Sequence, residues 1–319
     1  MPGQATGGEA AGCGEETDGV PKDIARIAPQ RAERGDSARR SEGTSIGTGG
    51  KDRRFVTALA RGLMILRAFE NSSDQLGNVE IARRTGLPKP TVSRLTHTLT
   101  KLGYLSSVGE RERYQLGISL MALGMAFFRA NSFPQIAQPF LQELADQVQC
   151  NVALFVRERL ECLLVKLFIG VTQNIAVRLD VGARVPVGDS ITGMAMIAAL
   201  PPDDRERLIA ELRSRPSRNA RLLQARIKRC QYELQRKGYA VGIGIWHQDI
   251  NTVTAPIIAQ DTGELFAVSV SGPSYVKTER VLNEEVGPRL VAVIHRLRNL
   301  DLGEWPPSLR LRGPANARI

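Results

Sequence analysis

The chain reads as an α+β protein of two folded parts, a small helix-rich one in front and a larger mixed one behind. Three observations predict this. Its 319 residues exceed the roughly 100–200 residues usual for one domain. Between residues 55 and 117, apolar positions recur at helical spacing in short stretches broken by turns, and two strand-like runs follow. From about Phe133 onward, strand-like runs and helical stretches are interspersed, an order that suits an antiparallel sheet with helices packed against it.

The first helix is expected from about Val56 to Phe69, with Val56, Leu59, Leu63 and Leu66 as its inner face. A short helix from Val79 to Arg84 follows, with Ile81 and Ala82 inward, and a sharp turn at Thr85-Gly86-Leu87 ends it. Pro88 and Pro90 lack N–H groups and preset φ, so they suit the start of the next helix. In that helix Val92, Leu95, Leu99 and Leu102 recur at three- and four-residue steps and define the buried stripe. Thr91, Ser93, Arg94, His97, Thr98 and Lys101 then face outward. Two helices broken at a glycine, the second carrying hydroxyls and cations on one side, form a helix-turn-helix that places a helix in the major groove of DNA. A solvated face is the bland alternative for one charged helix taken alone. The candidate DNA contacts at the helix are Lys89, Pro90, Thr91, Ser93, Arg94, His97 and Thr98, since hydroxyls and Arg reach phosphates or base edges.

Gly103 is a plausible helix stop, and the runs before and after Gly109-Glu-Arg-Glu112 read as a hairpin. A hairpin just after the reading helix is a wing. Arg111 and Arg113 near its tip are either phosphate or minor-groove contacts or ordinary hairpin charges paired with Glu110 and Glu112. The stretch Ile118 to Phe128 is a helix apolar on more than one side, which needs a partner beyond its own wing. The back half predicts a helix over Pro134 to Gln149 and strands at Asn151 to Val156, Glu161 to Phe168 and Gln173 to Leu179. A small-residue helix starts near Ser190, and helices follow from Asp203 to Leu212 and from Arg221 to Lys237. Strands at Thr252 to Ala259 and Leu265 to Gly272 precede a last helix from about Glu279 to Asn299.

Several runs carry a specific resemblance. Ala60-Arg-Gly-Leu-Met-Ile-Leu-Arg-Ala-Phe69, Glu80-Ile-Ala-Arg-Arg-Thr-Gly-Leu-Pro-Lys-Pro-Thr-Val-Ser-Arg-Leu95 and Tyr114-Gln-Leu-Gly117 resemble the DNA-binding half of the IclR family of bacterial transcriptional regulators. The similarity continues in order through Asp180-Val-Gly-Ala-Arg-Val-Pro186, Thr192-Gly-Met-Ala195, Gly238-Tyr-Ala-Val241, Val253-Thr-Ala-Pro-Ile257 and Ser269-Val-Ser-Gly-Pro273. The resemblance implies a winged helix-turn-helix over 55–117, a linker and dimerisation helix over 118–131, and a GAF-like α/β effector-binding domain over 132–301. It also implies a homo-oligomer, a dimer or a dimer of dimers, on double-stranded operator DNA.

An effector pocket is expected in the back half. Ser190, Ile191, Thr192 and Gly193 lie at a loop-to-helix junction, where free N–H groups and hydroxyls suit a carboxylate. Ser269 and Ser271 share one face of a strand, and Trp246, Thr252 and Thr254 are weaker candidates opposite. The junction in the family commonly reads Gly-Lys-Ala but is Gly193-Met194-Ala195 here, and Gly242-Ile-Gly-Ile-Trp246 replaces a region often acidic. Both departures predict an organic-acid effector with a larger hydrophobic or aromatic part than short polar acids have.

Composition sets outer bounds. The formal charge is +10, and residues 55–117 hold nine Lys and Arg against five Asp and Glu, a modest bias toward phosphate. The four cysteines and three histidines show no ligand spacing, so neither a metal, a cofactor nor a disulfide framework is expected, and Cys150 and Cys162 read as buried thiols. Apolar runs fall short of a membrane span and no leader pattern opens the chain, so a cytoplasmic protein is expected. Residues 1–54 and 302–319 are read as a disordered extension and a flexible tail. Two rivals remain. An enzyme would need a catalytic triad, paired carboxylates, a phosphate loop or a metal cluster, none of which is apparent. An architectural DNA binder would use the back half only to dimerise.

Overall fold

The computed structural model describes residues 54–70, 75–109, 113–170, 179–214, 222–300 and 303–304. Residues 1–53 of the N-terminal extension, Arg111, most of the strand expected from Gln173, and the C-terminal tail apart from Gly303–Glu304 lie outside them. Those two residues, expected in a flexible tail, pair with the sheet.

The front part comprises α1 (Thr57–Arg67), β1 (Leu76–Gly77), α2 (Asn78–Thr85), α3 (Lys89–Lys101), β2 (Leu105–Val108) and β3 (Arg113–Leu116). Strands β2 and β3 pair antiparallel from Leu105↔Leu116 to Val108↔Arg113, and β1 joins the far side of β3. Helix α2 ends because Gly86 takes φ 71°, and its N–H donates to the Ala82 carbonyl. Ile65, Phe69, Leu76, Ile81, Val92, Leu105 and Tyr114 form the core of this part.

Two expected faces are corrected. In α1 the buried positions are Gly62 and Ile65, followed by Phe69, whereas Leu59 and Leu63 are 64% and 52% exposed. The helix carries two apolar stripes that both satisfy the 3.6-residue period, and Phe69, just past its end, selects the one facing the core. In α3 Val92 is buried and Leu95 and Leu99 pack partly buried against the same core, as expected, but Thr96 is buried as well and Leu102 is exposed. The Thr96 hydroxyl lies 3.0 Å from Asn78 Oδ1 and 3.0 Å from the Val92 carbonyl. That polar tie between α3 and the first residue of α2 leaves no trace in an apolar pattern.

Helix α4 (Ile118–Ala130) follows directly and has no buried residue. The back part then contains α5 (Phe133–Ile136), α6 (Gln138–Val148), β4 (Asn151–Glu158), β5 (Glu161–Phe168), β6 (Arg184–Pro186), α7 (Ile191–Ala199), α8 (Pro202–Arg213) and α9 (Leu223–Lys237). It closes with β7 (Ala240–Ile243), β8 (Ile250–Ala259), β9 (Leu265–Pro273), α10 (Glu279–Val281), α11 (Gly287–Asn299) and β10 (Gly303–Glu304). The expected last helix is continuous in position but contains a π-turn at Leu282–Val286.

The sheet order is β10-β8-β9-β4-β5-β6, with β7 paired to β8, and every pairing is antiparallel. Alternation along β4 sorts the core into two layers. Val152 and Leu154 pack in one cluster with residues of α6 and α11, while Ala153 and Phe155 pack in another with residues of α7 and α9. Every residue of α7 is buried, so it is the central helix of its layer.

Candidate functional site

Two sites emerge, one on each part. On the first, Pro88 has extended ψ at the N-cap and Pro90 occupies the first turn of α3, so neither wastes a donor. Lys89, Pro90, Ser93, Arg94, His97 and Thr98 are exposed and Thr91 is half-buried, so the expected contact residues share the open side and start of one helix. The Thr98 hydroxyl donates to the Arg94 carbonyl at 2.9 Å. No described residue bonds the Arg94 guanidinium, which leaves it available to a guanine edge or a phosphate. Arg113 behaves differently. Its guanidinium donates to the Gln75 carbonyl and so braces β3 against the start of β1. Among the helix cations, Arg84 donates to Glu80 at 2.9 Å and to the Ala68 carbonyl at 3.0 Å, tying α2 to the end of α1.

The second site is a cavity of about 30 Å³ at the start of α7. Ser190, Ile191 and Thr192 line it, with Thr252 and Ser271 on the sheet and Trp246 on the loop between β7 and β8. Phe155, Leu179, Val185, Ile245 and Ile250 complete the apolar wall. Three expected residues, Gly193, Thr254 and Ser269, lie behind this lining rather than in it. No described lining residue carries a charge.

Each backing residue has a traceable task. A Cβ at Gly193 would sit 2.3 Å from both Cα and the carbonyl oxygen of Val187, so only glycine lets α7 pass this close to the preceding turn. Ser190 caps α7: its hydroxyl accepts the Gly193 N–H at 3.1 Å and donates to the Pro186 carbonyl at 2.9 Å. Ser269 is fully buried and donates to Thr254 Oγ1 at 2.9 Å. Its single proton is thereby used, so in the 2.8 Å contact with Thr192 the Thr192 hydroxyl is the donor. Thr192 then turns acceptor lone pairs toward the cavity. Thr252 and Ser271 share a 2.9 Å hydrogen bond, which uses one of their two protons and leaves the other to donate inward. The cavity therefore offers an acceptor, a donor and the first N–H groups of α7 in an otherwise apolar wall.

The two departures from the family pattern separate here. Met194 is fully buried, in the same core cluster as Cys162 and Met196, and does not line the cavity. Gly242, Ile245 and Trp246 do line it. A side chain at Gly242 would place its Cβ 2.7 Å from Ile191 Cβ, so this glycine also fixes how closely the first turn of α7 meets β7. The sequence reading missed Phe155, Leu179, Val185 and Ile250, which announce themselves only as strand and loop apolar residues.

The three described cysteines line neither site. Burial pushes the Cys162 thiol up to about 12, and it raises those of Cys150 and Cys230 as well. Such thiols are poor nucleophiles. Among the described residues no three His, Cys, Asp or Glu side chains gather as a metal site would require. No helix among them is long and apolar enough to cross a membrane.

Comparison with known proteins converges on one family. Residues 58–109 match the IclR helix-turn-helix domain and residues 129–295 match the bacterial transcriptional regulator IclR C-terminal domain. The chain is 29% identical over 256 residues to the HTH-type transcriptional regulator TsaQ1/TsaQ2 of Comamonas testosteroni, spanning 80% of this chain and 92% of the relative. A crystal structure of an IclR family transcriptional regulator from Brucella abortus is 37% identical, with TM-score 0.70 over 80% of this chain and 95% of its own. An IclR homologue from Microbacterium hydrocarbonoxydans, solved with 4-hydroxybenzoate, shares the fold at 23% identity and TM-score 0.60 over 76% of this chain and 99% of its own.

Proposed function

The chain belongs to the IclR family of DNA-binding transcriptional regulators, and on that premise we propose that an aromatic hydroxy acid held at the start of α7 switches its affinity for operator DNA. The observation that carries this reading is the polar layout of the cavity. An acceptor at Thr192 and a donor at the Thr252–Ser271 pair line one cavity whose apolar wall includes Trp246 and Phe155. A ligand with a hydroxyl, a carboxylate and a ring satisfies all three features, with the carboxylate at the positive end of α7. The 4-hydroxybenzoate bound by the Microbacterium homologue has this chemistry.

At about 30 Å³ the cavity holds no aromatic ring, because ligand pockets run to roughly 300–1,000 Å³. Binding thus requires the wall to move, and a ligand that favours the opened arrangement shifts the population toward it. Trp246, 39% exposed on the β7–β8 loop, is the wall element nearest solvent and reports that motion. The output is a homodimer presenting two reading helices to a roughly palindromic site. Helix α4 supplies the pairing surface, with Ile118, Met121, Leu123, Met125 and Phe127 each about half exposed or more. Leu59 and Leu63 on α1 form a second exposed apolar stripe.

The test uses full-length protein with Trp305 replaced by Phe, so that Trp246 is the sole tryptophan and is excited selectively. Benzoate and its monohydroxy derivatives are expected to shift the Trp246 emission and raise the melting temperature by a few degrees, while pyruvate and glyoxylate do neither. Stabilisation by the short polar acids alone would remove the aromatic reading.

A further inference from the structure

We propose that Arg184 couples the cavity to the DNA-binding part, through a crossed pair of ion bridges that clamps the end of α1 to one wall of the cavity. The inference rests on reading the cavity as the effector site, and adds the route by which occupancy reaches the reading helix.

Glu70, just past α1, places Oε2 3.2 Å from Arg184 Nε. Arg67, at the end of α1, places Nη2 3.8 Å from Glu158 Oε1. Each part of the chain therefore gives one cation and one carboxylate to the other. Both ends are tied within their own part as well. Arg67 Nε lies 3.2 Å from Glu70 Oε1, while Arg184 Nη1 lies 2.6 Å from Glu158 Oε2 and 3.3 Å from Glu161 Oε2. The Arg184 side chain is only 12% exposed, so its own pairs are less screened than ordinary surface bridges, whereas Arg67 and Glu158 meet at the surface. Burial alone would push the Glu158 carboxyl up. The hydrogen bond from Arg184 and the charges of Arg184, Arg67 and Arg159 outweigh that and hold it below its usual range.

The connection to the cavity is one residue long. Arg184 and Val185 are successive residues of β6, so their side chains leave opposite faces of the strand. Val185 lines the cavity and Arg184 reaches the end of α1. Strand β6 then runs through Pro186 and a single 3₁₀ turn, Val187–Asp189, into Ser190, whose hydroxyl holds the Pro186 carbonyl. Widening the cavity to admit a ring displaces Val185 or the first turn of α7. Either movement carries Arg184 against Glu70 and so alters how α1, which packs on α3, is held. An ion-pair network joining the two parts suits such a switch, because coupling is carried by salt-bridge networks that have discrete arrangements.

Hydrogen exchange on the full-length protein, without ligand or DNA, tests the clamp. Glu70→Gln is expected to raise exchange of amides 183–193, in the other part of the chain, by about three- to fivefold, and Arg184→Gln to do the same at amides 65–70. The double variant is expected to exceed neither single variant, since both remove the same link. Changes confined to each variant's own side, or adding in the double variant, would overturn the proposal. The sensor reading fails separately, if no aromatic acid moves Trp246; the exchange comparison then still decides whether the two parts are clamped.

Discussion

Replacing Gly193 by Ala is expected to lower the stability of the back part by about 3 kcal/mol or more and to abolish any response to aromatic acids. The added methyl would meet the Val187 Cα and carbonyl oxygen at 2.3 Å, and both are backbone atoms that no rotamer change can remove. Relief requires lifting α7 off the 3₁₀ turn before it. That move breaks the Ser190 cap and displaces Thr192 from Ser269, within a helix whose every residue is buried. Urea unfolding followed by circular dichroism checks the prediction. An unchanged midpoint would show that the turn yields freely and that the close approach is not a constraint.

Arg94→Ala is expected to weaken specific operator binding by ~1–3 kcal/mol, or between about fivefold and 150-fold. The argument is one of availability and position. Arg94 is exposed on the open side of α3 beside Ser93, His97 and Thr98, and no described residue occupies its guanidinium. By contrast Arg84 and Arg113 are engaged with Glu80, Ala68 and Gln75, so they hold the scaffold. Competition among operator variants separates the two roles Arg94 can have. Lost preference at one base pair marks base reading. A uniform loss with a shallower salt dependence marks a phosphate contact.

Most of the order of elements was legible in the chain because glycine, proline and apolar spacing act locally. The strands β1, β6 and β7 were not, since two to four residues carry no usable alternation. Gly86 ends α2 and Pro90 starts α3, as their backbone preferences require. What stayed hidden was settled by tertiary contacts. The apolar period of α1 admits two faces, and only packing around Phe69 chooses between them. Thr96 is buried through a bond to Asn78, 18 residues away, which no hydropathy pattern can register. At the cavity, Ser190, Thr192, Thr252 and Ser271 were visible as hydroxyls at a helix start and on strand faces. The ranking among them was not visible, because it depends on which proton Ser269 gives away. Met194 illustrates the reverse error. A departure from a family pattern looks like a change of ligand until burial shows that the side chain faces the core. The role of Arg184, within the Asp180–Pro186 run, was hidden for a related reason, since its partners Glu70 and Glu158 come from two different parts of the chain.

The central claim is that the cavity governs the reading helix. Its most direct test is to titrate the full-length protein onto an operator duplex obtained by in vitro selection, at fixed salt, with and without each monohydroxybenzoate. At least one acid is expected to change the operator affinity by tenfold or more, which requires only ~1.4 kcal/mol of preference for one arrangement over the other. An affinity that stays the same with every acid would contradict the account and leave a DNA-binding dimer without a switch.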